Sequence, residues 1–237
     1  MKLGIMQPYF FPYIGYFSLI EYSDRFIFFD TPQYISHGWV NRNRILSQQS
    51  EPTYITVPIK KAPQETAIKD IFIDNSNKWK EKIYGQLSVY KRKAPNYKDV
   101  NELIHEILDC REWNNLSELN VYSTQRISQE IGIDSKYDVF SEMHLEIDTV
   151  KSPDEWALYI TKALGGDIYV NPPGGKSFFN KKKYEDMNIE LVFLESNLPS
   201  YIQRIGKWVP GLSIIDVMMY CGKDEIKGMV KDFSLSH

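Results

Sequence analysis

Cysteine is almost missing from this chain. Cys110 and Cys221 are the only two in 237 residues, and they stand in unlike contexts, so the sequence offers no disulfide framework and no thiolate cage for a metal. That usage fits a reducing compartment, and the cytoplasm is the expected location. Histidine is scarce as well, with four copies; His105 in a helical pattern and His144 beside a stretch of mixed polarity lack a ligand-spaced partner, so no metal site is expected. Neither sign of charge is in excess. The net charge of −3, from 28 Lys and Arg against 31 Asp and Glu, recruits neither nucleic acid nor an anionic membrane. No stretch nears the roughly 18 apolar residues of a membrane span, so no membrane insertion is expected. Gln7, Pro8 and Pro12 break the apolar continuity that a signal peptide needs. Repeats and low-complexity tracts are absent too.

What the chain does have is hydrophobic and aromatic mass, 43% and 14% of its residues, enough for a core that folds without staples. Its periodicity alternates. Lys2 to Met6 reads as a buried strand, Ile14 to Tyr22 as a helix and Arg25 to Asp30 as a second strand ending in a carboxylate. Tyr54 to Ile59 and Ile68 to Ile73 read as further interior strands. Trp79 to Lys91, Val100 to Leu108 and Leu116 to Ile131 carry helical spacing, the last closed by Gly132, and form a helical block over residues 78–132 that is an insert or subdomain of a single α/β domain. The alternating rhythm then returns. Ser152, Pro153 and Glu155 open a helix that Gly165 and Gly166 close. Asp167 to Val170 is a strand, Phe178 to Met187 a helix and Glu190 to Glu195 a strand. Ser213 with Asp216 repeats a capping-box spacing before a helix that Gly222 stops. Strands alternating with helices predict an α/β fold with a mostly parallel, Rossmann-like sheet and right-handed crossovers.

In such sheets ligands sit beyond the carboxyl ends of the strands. The turn after the first strand, QPYFFPYIGYF, is crowded with rings; Phe10, Phe11 and Phe17 read as core, whereas the phenols of Tyr9, Tyr13 and Tyr16 need polar partners and lean toward a site with Gln7. After the second strand come Asp30, Gln33, His37, Trp39, Asn41, Arg42, Asn43 and Arg44. Arg42 and Arg44 suit bidentate phosphate contacts, Asn41 and Asn43 suit sugar hydroxyls and Trp39 suits stacking; a solvated loop starting a helix is the plain alternative for either Arg alone. Asp30 and His37 are the acid and base pair expected for catalysis. The stretch from Asn171 through Gly174, Gly175 and Lys176 is a second phosphate-friendly turn, without the spacing of a P-loop. Cys221 reads as an inert buried thiol and Lys181 to Lys183 as a solvated helix face.

The segments MQPYFFPYIGYFSLI, FIFFDTPQYISHGWVNRNRI, KAPNY, YVNPPGGKSF and LSIIDVMMYCG together resemble the WbqC-like protein family. That resemblance implies a place in bacterial surface-polysaccharide and O-antigen clusters and a role in making or decorating an unusual sugar. The slot Tyr13-Ile14-Gly15-Tyr16 is more weakly similar to the His-x-Gly-His turn of nucleotidylyltransferases, with both histidines replaced; Gly15 still permits close backbone approach. Two function classes follow. One is an enzyme transferring a small acyl or aminoacyl group, from an acyl-coenzyme A thioester or with ATP, to the amine of a nucleotide-linked amino sugar. The other is a non-catalytic nucleotide-sugar-binding subunit, and a diverged nucleotidylyltransferase ranks third. Oligomeric state is not legible.

Overall fold

A computed structural model describes residues 1–203 and 207–237. Its centre is a six-stranded sheet in the order β5-β2-β1-β6-β7-β8, built from β1 (Lys2–Met6), β2 (Arg25–Phe28), β5 (Lys136–Val139), β6 (Ile168–Asn171), β7 (Glu190–Ser196) and β8 (Phe233–Ser236). All neighbours run parallel except β7 and β8. This is the α/β, mostly parallel, Rossmann-like arrangement that the alternating pattern implies.

Side chains alternate between two cores. Phe26, Phe28, Val170 and Leu194 face the larger one, with α1 (Ile14–Tyr22), α3 (Tyr97–Asp109), α4 (Leu116–Ile131), α7 (Ile214–Tyr220) and α8 (Lys223–Val230). Ile5, Ile27, Tyr169, Leu191 and Phe193 face the smaller one, under α5 (Glu155–Ala163) and α6 (Lys181–Glu185). Both faces are covered over the inner strands β1, β2, β6 and β7, which is why these read as mostly apolar runs, whereas the edge strands β5 and β8 are only partly buried.

Between β2 and β5 the chain makes an antiparallel pair of its own, β3 (Arg42–Leu46) with β4 (Pro52–Thr56), followed by α2 (Trp79–Leu87). Three expectations fail in this region for physical reasons. The polar stretch ending at Arg44 does not start a helix; Arg42, Asn43 and Arg44 lie in β3. Tyr54 to Ile59 is not an interior strand, because β4 pairs only with β3 and Tyr54 is exposed. Ile68 to Ile73 is not a strand: Ile68–Asp70 is a 3₁₀ turn, which puts Ile68 and Ile71 on one buried side while Phe72 points outward. Three-residue spacing joins Ile68 to Ile71 across the turn, and alternation holds only from Ile71 to the buried Ile73.

The helix ends follow their local chemistry. Asn115 caps α4 by accepting from the Glu118 N–H, and Gly132 ends it at φ 78°, a left-handed position that costs glycine little. Glu155 reaches back to the N–H groups of Lys151 and Ser152, although α5 itself begins at Glu155, so Pro153 lies before the helix. The predicted helix from Phe178 shrinks to Lys181–Glu185. Lys183 is not a solvated side chain: its ammonium contacts Glu155 at 2.8 Å, Ser152 at 2.9 Å and Asp154 at 3.2 Å, tying α6 to the start of α5. Hydrogen bonds from Lys183 and from those N–H groups hold the Glu155 carboxyl down at about 2.

Candidate functional site

Strands β1, β2, β5 and β6 are parallel, so the segments that follow them leave from one edge of the sheet. The chain winds outward from β1 to β2 and β5, then returns to the other side of β1 as β6. The direction of winding therefore reverses between β1 and β6, where open α/β sheets form a ligand crevice.

On the β1 side of that crevice, most of the ring surface is core. Phe10, Phe11 and Phe17 are fully buried. Tyr16 joins them and donates its hydroxyl to the Gln7 carbonyl at 2.9 Å. Tyr9 and Tyr13 are half-buried, and burial pushes the Tyr9 phenol up to about 12 and raises that of Tyr13. Neither phenol, nor the Gln7 side-chain amide, has a hydrogen-bond partner among the described residues. Gly15 has a local reason: a Cβ there would lie 2.5 Å from the Tyr13 ring, so the ring occupies the approach to the amino end of α1. Gly15→Ala is expected to displace that ring and lower stability by about 1–3 kcal/mol, the usual cost of overpacking, as read by denaturant unfolding.

The β6 side carries Asn171 and the Pro-Gly turn. Asn171 accepts from the Tyr169 hydroxyl at 2.8 Å and donates to the Pro172 carbonyl. Gly175 packs on Asn171 and Phe179, where a Cβ would come within 2.3 Å of the Asn171 amide nitrogen, whereas Gly174 has open space. Lys176 is exposed, its ammonium 5.9 Å from the Phe193 ring centroid.

The hairpin residues mostly serve the chain itself. Asn43 donates to the carbonyls of Phe10 and Phe11 at 3.1 and 2.9 Å, which holds Phe11 at φ 40°, a conformation a bulky residue keeps only under such restraint. Asn41 accepts from the Tyr34 hydroxyl and donates to the Val57 carbonyl. Arg42 donates to the His37 and Gly38 carbonyls and lies 4.1 Å over the Tyr54 ring. Arg44 lies 5.5 Å from the Trp39 ring, donates to the Gly211 carbonyl at 3.4 Å and keeps a buried Nε without a partner. Gln33 donates to the Gln64 carbonyl.

Asp30 and His37 are not hydrogen-bonded to each other. Asp30 is 2% exposed and accepts from the Ser141 N–H at 3.1 Å and the Ser141 hydroxyl at 2.6 Å. His37 is exposed at φ 63°. What Asp30 does face is a cavity of about 580 Å³ at the carboxyl ends of β2 and β5, lined also by Lys69, Arg111, Ser117, Tyr122, Tyr137 and Glu142 among others. That volume falls in the range of small-molecule pockets. Of the residues singled out by sequence, Asp30 alone lines it. The others come from the 3₁₀ turn, the start of α4 and the end of β5, three places far apart in the chain.

Asp216 is a second buried carboxylate, one that sequence spacing marks only as half of a capping box. Ser213 does cap α7, accepting from the Ile215 N–H, but Asp216 turns inward and is fully buried. It accepts from the hydroxyls of Tyr90 and Tyr201 and from the Gln203 amide. Burial raises its carboxyl above the ordinary range while these three donors pull the other way. Cys221 is buried, and burial pushes its thiol up to about 12, which makes it a poor nucleophile.

The WbqC-like protein family model matches residues 7–228, a span that begins just after β1 and ends inside α8, so that of the elements described above only β1, the end of α8 and β8 lie outside it. The chain belongs to the WbqC-like protein family. It is similar to "Uncharacterized protein Rv1507c" of Mycobacterium tuberculosis (strain ATCC 25618 / H37Rv), with 26% identity over 225 residues covering 94% of this chain and 95% of that protein. No solved structure matches significantly. No helix among the described residues is long and apolar enough to cross a membrane, and no cluster of three or more His, Cys, Asp or Glu placed to hold a metal ion occurs among them.

Proposed function

We propose that this WbqC-like chain is an enzyme of surface-glycan precursor synthesis that transfers a small acyl or aminoacyl group to the amine of a nucleotide-linked amino sugar. The observation that carries the reading is Asp30: a carboxylate 2% exposed, oriented by two bonds from Ser141, in the lining of a polar cavity of ligand size. An amino sugar suits that lining. Its hydroxyls find amide, hydroxyl and carboxylate partners, and its ring finds the faces of Tyr122 and Tyr137. The amine nitrogen attacks the acyl carbon of a thioester or an acyl adenylate, the bond to sulfur or phosphate oxygen breaks, and Asp30 takes the amine proton. The donor lies along the crevice between β1 and β6, where Gln7, Tyr9, Tyr13 and Lys176 offer polar atoms.

A non-catalytic binding subunit is the second reading, favoured by the separation of His37 from Asp30. A thermal-shift screen against nucleotide sugars, acyl-coenzyme A thioesters and ATP with amino acids tests both. A ligand at about a hundredfold above its dissociation constant adds roughly 2.7 kcal/mol to folding. Stabilisation by nucleotide-linked amino sugars and by one donor class supports the enzyme; stabilisation by the sugar alone supports the subunit. A flat response to all of them contradicts both.

A further inference from the structure

The cavity beside Asp30 is polarised, and its polarity points to a ligand that carries an anion as well as an amine. A run of contacts orders its wall. Arg111 pairs with Glu118 in the first turn of α4 at 3.2 Å; Asn115, which caps that helix, donates to the Lys69 carbonyl at 2.6 Å; the Lys69 N–H donates to the Asp30 carbonyl at 2.8 Å; and Asp30 bonds Ser141 at the end of β5. The lining cations Lys69 and Arg111 therefore stand on the α4 side of Asp30, paired there with Asp70 and with Glu118, of which Glu118 also lines the cavity; the lining carboxylates Asp138 and Glu142 stand on the β5 side, Asp138 paired with Arg25.

The α4 side has further means to hold an anion. This helix is 16 residues long, and its amino end opens on the cavity, where the aligned peptide dipoles favour negative charge. Three of its first N–H groups are satisfied within the chain: Leu116 by Ile71, Glu118 by the Asn115 side chain and Leu119 by the Asn115 carbonyl. That of Ser117 has no partner among the described residues. The Ser117 hydroxyl has none either, although the residue is only 4% exposed and lines the cavity. A buried hydroxyl without a partner is uncommon in a native fold. Arg111 stacks 3.9 Å from the centroid of the buried Trp113 ring, which holds its fork at the cavity wall, where an exposed pair with Glu118 is its ion-pair contact.

We propose that Ser117, Arg111 and Lys69 form a phosphoryl subsite at the amino end of α4, which binds the phosphate of an amino-sugar phosphate while Asp30 faces its amine. The inference rests on the amino-sugar reading for the amine half only. Ser117 supplies two donors, Arg111 a planar fork and Lys69 a point charge. The Arg42 and Arg44 guanidiniums, engaged with carbonyls and rings of the hairpin region, are not needed for this grip.

Calorimetric titration of the whole protein with glucosamine 1-phosphate, glucose 1-phosphate and glucosamine tests it. Glucosamine 1-phosphate is expected to bind most tightly, and inorganic phosphate to compete with it. Arg111→Ala and Ser117→Ala are each expected to weaken both sugar phosphates at least tenfold and to leave glucosamine within about twofold. Ser117→Ala also removes a buried hydroxyl that has no partner, so the ligand-free variant should melt at or above the wild-type temperature; weaker binding without lost stability separates a ligand contact from a structural one. Equal losses for glucosamine and its phosphate would overturn the subsite, as would the absence of binding by any sugar phosphate. Phosphate-dependent binding in a protein that transfers no acyl group would uphold the subsite and overturn the transferase reading.

Discussion

In Asp30→Asn, turnover of a nucleotide-linked 4-amino sugar falls by a factor of roughly 10² to 10⁴, the range that general acid–base catalysis contributes, while the fold and sugar binding persist. The asparagine keeps the shape of the carboxylate and one of the two acceptors that Ser141 uses, and the Ser141 hydroxyl can turn to accept from the new amide. Proton transfer has no such substitute. His37→Gln is the matched comparison: its ring is exposed and not bonded to Asp30, so its turnover should stay within a few-fold of wild type. Following the acylated sugar by mass spectrometry gives both numbers. Full activity in Asp30→Asn would remove the carboxylate from the chemistry.

The largest loss of stability is expected at Asp216. Asp216→Ala strands the hydroxyls of Tyr90 and Tyr201, which donate to it in the interior, whereas the Gln203 amide keeps the Tyr201 hydroxyl and the Val209 carbonyl as acceptors. Each orphaned donor costs about 1–3 kcal/mol, so a total near 3 kcal/mol or more is expected, equivalent to a drop of roughly 6–12 °C for a chain of this size. Tyr201→Phe removes one donor from the carboxylate and should cost about 1.5–3 kcal/mol. The Tyr90 hydroxyl also accepts from the Leu46 N–H, which links β3 to α7 through this carboxylate. Thermal and denaturant unfolding of both variants measure the effect. A change below about 0.5 kcal/mol in Asp216→Ala would mean that water replaces the carboxylate without loss.

The sheet was legible because its signals are local. Alternation, glycine caps and aromatic runs place β1, α1, β2, α4, β6 and β7 within a few residues, and two-sided burial explains their lack of a polar face. The hairpin was not, because Arg42 and Asn43 are polar for reasons that lie elsewhere: one stacks on Tyr54 and the other holds the carbonyls of a strained Phe10–Phe11 turn. Asp30 was visible at a strand end. Its surroundings were not, since Lys69, Arg111, Ser117 and Ser141 come from separate segments and none carries a motif. Asp216 shows the same limit: its spacing from Ser213 suited a capping box, yet tertiary donors more than a hundred and as few as thirteen positions away claim its oxygens.

The mass of a nucleotide-linked 4-amino sugar after incubation with the purified protein tests the central claim most directly, with acyl-coenzyme A thioesters in one series and ATP plus glycine in another. The account predicts a single acyl or glycyl addition on the amine with one donor class, at a rate that collapses in Asp30→Asn. An unchanged mass with every donor, from protein that the same sugar stabilises against heat, would contradict catalysis and leave a binding subunit in its place.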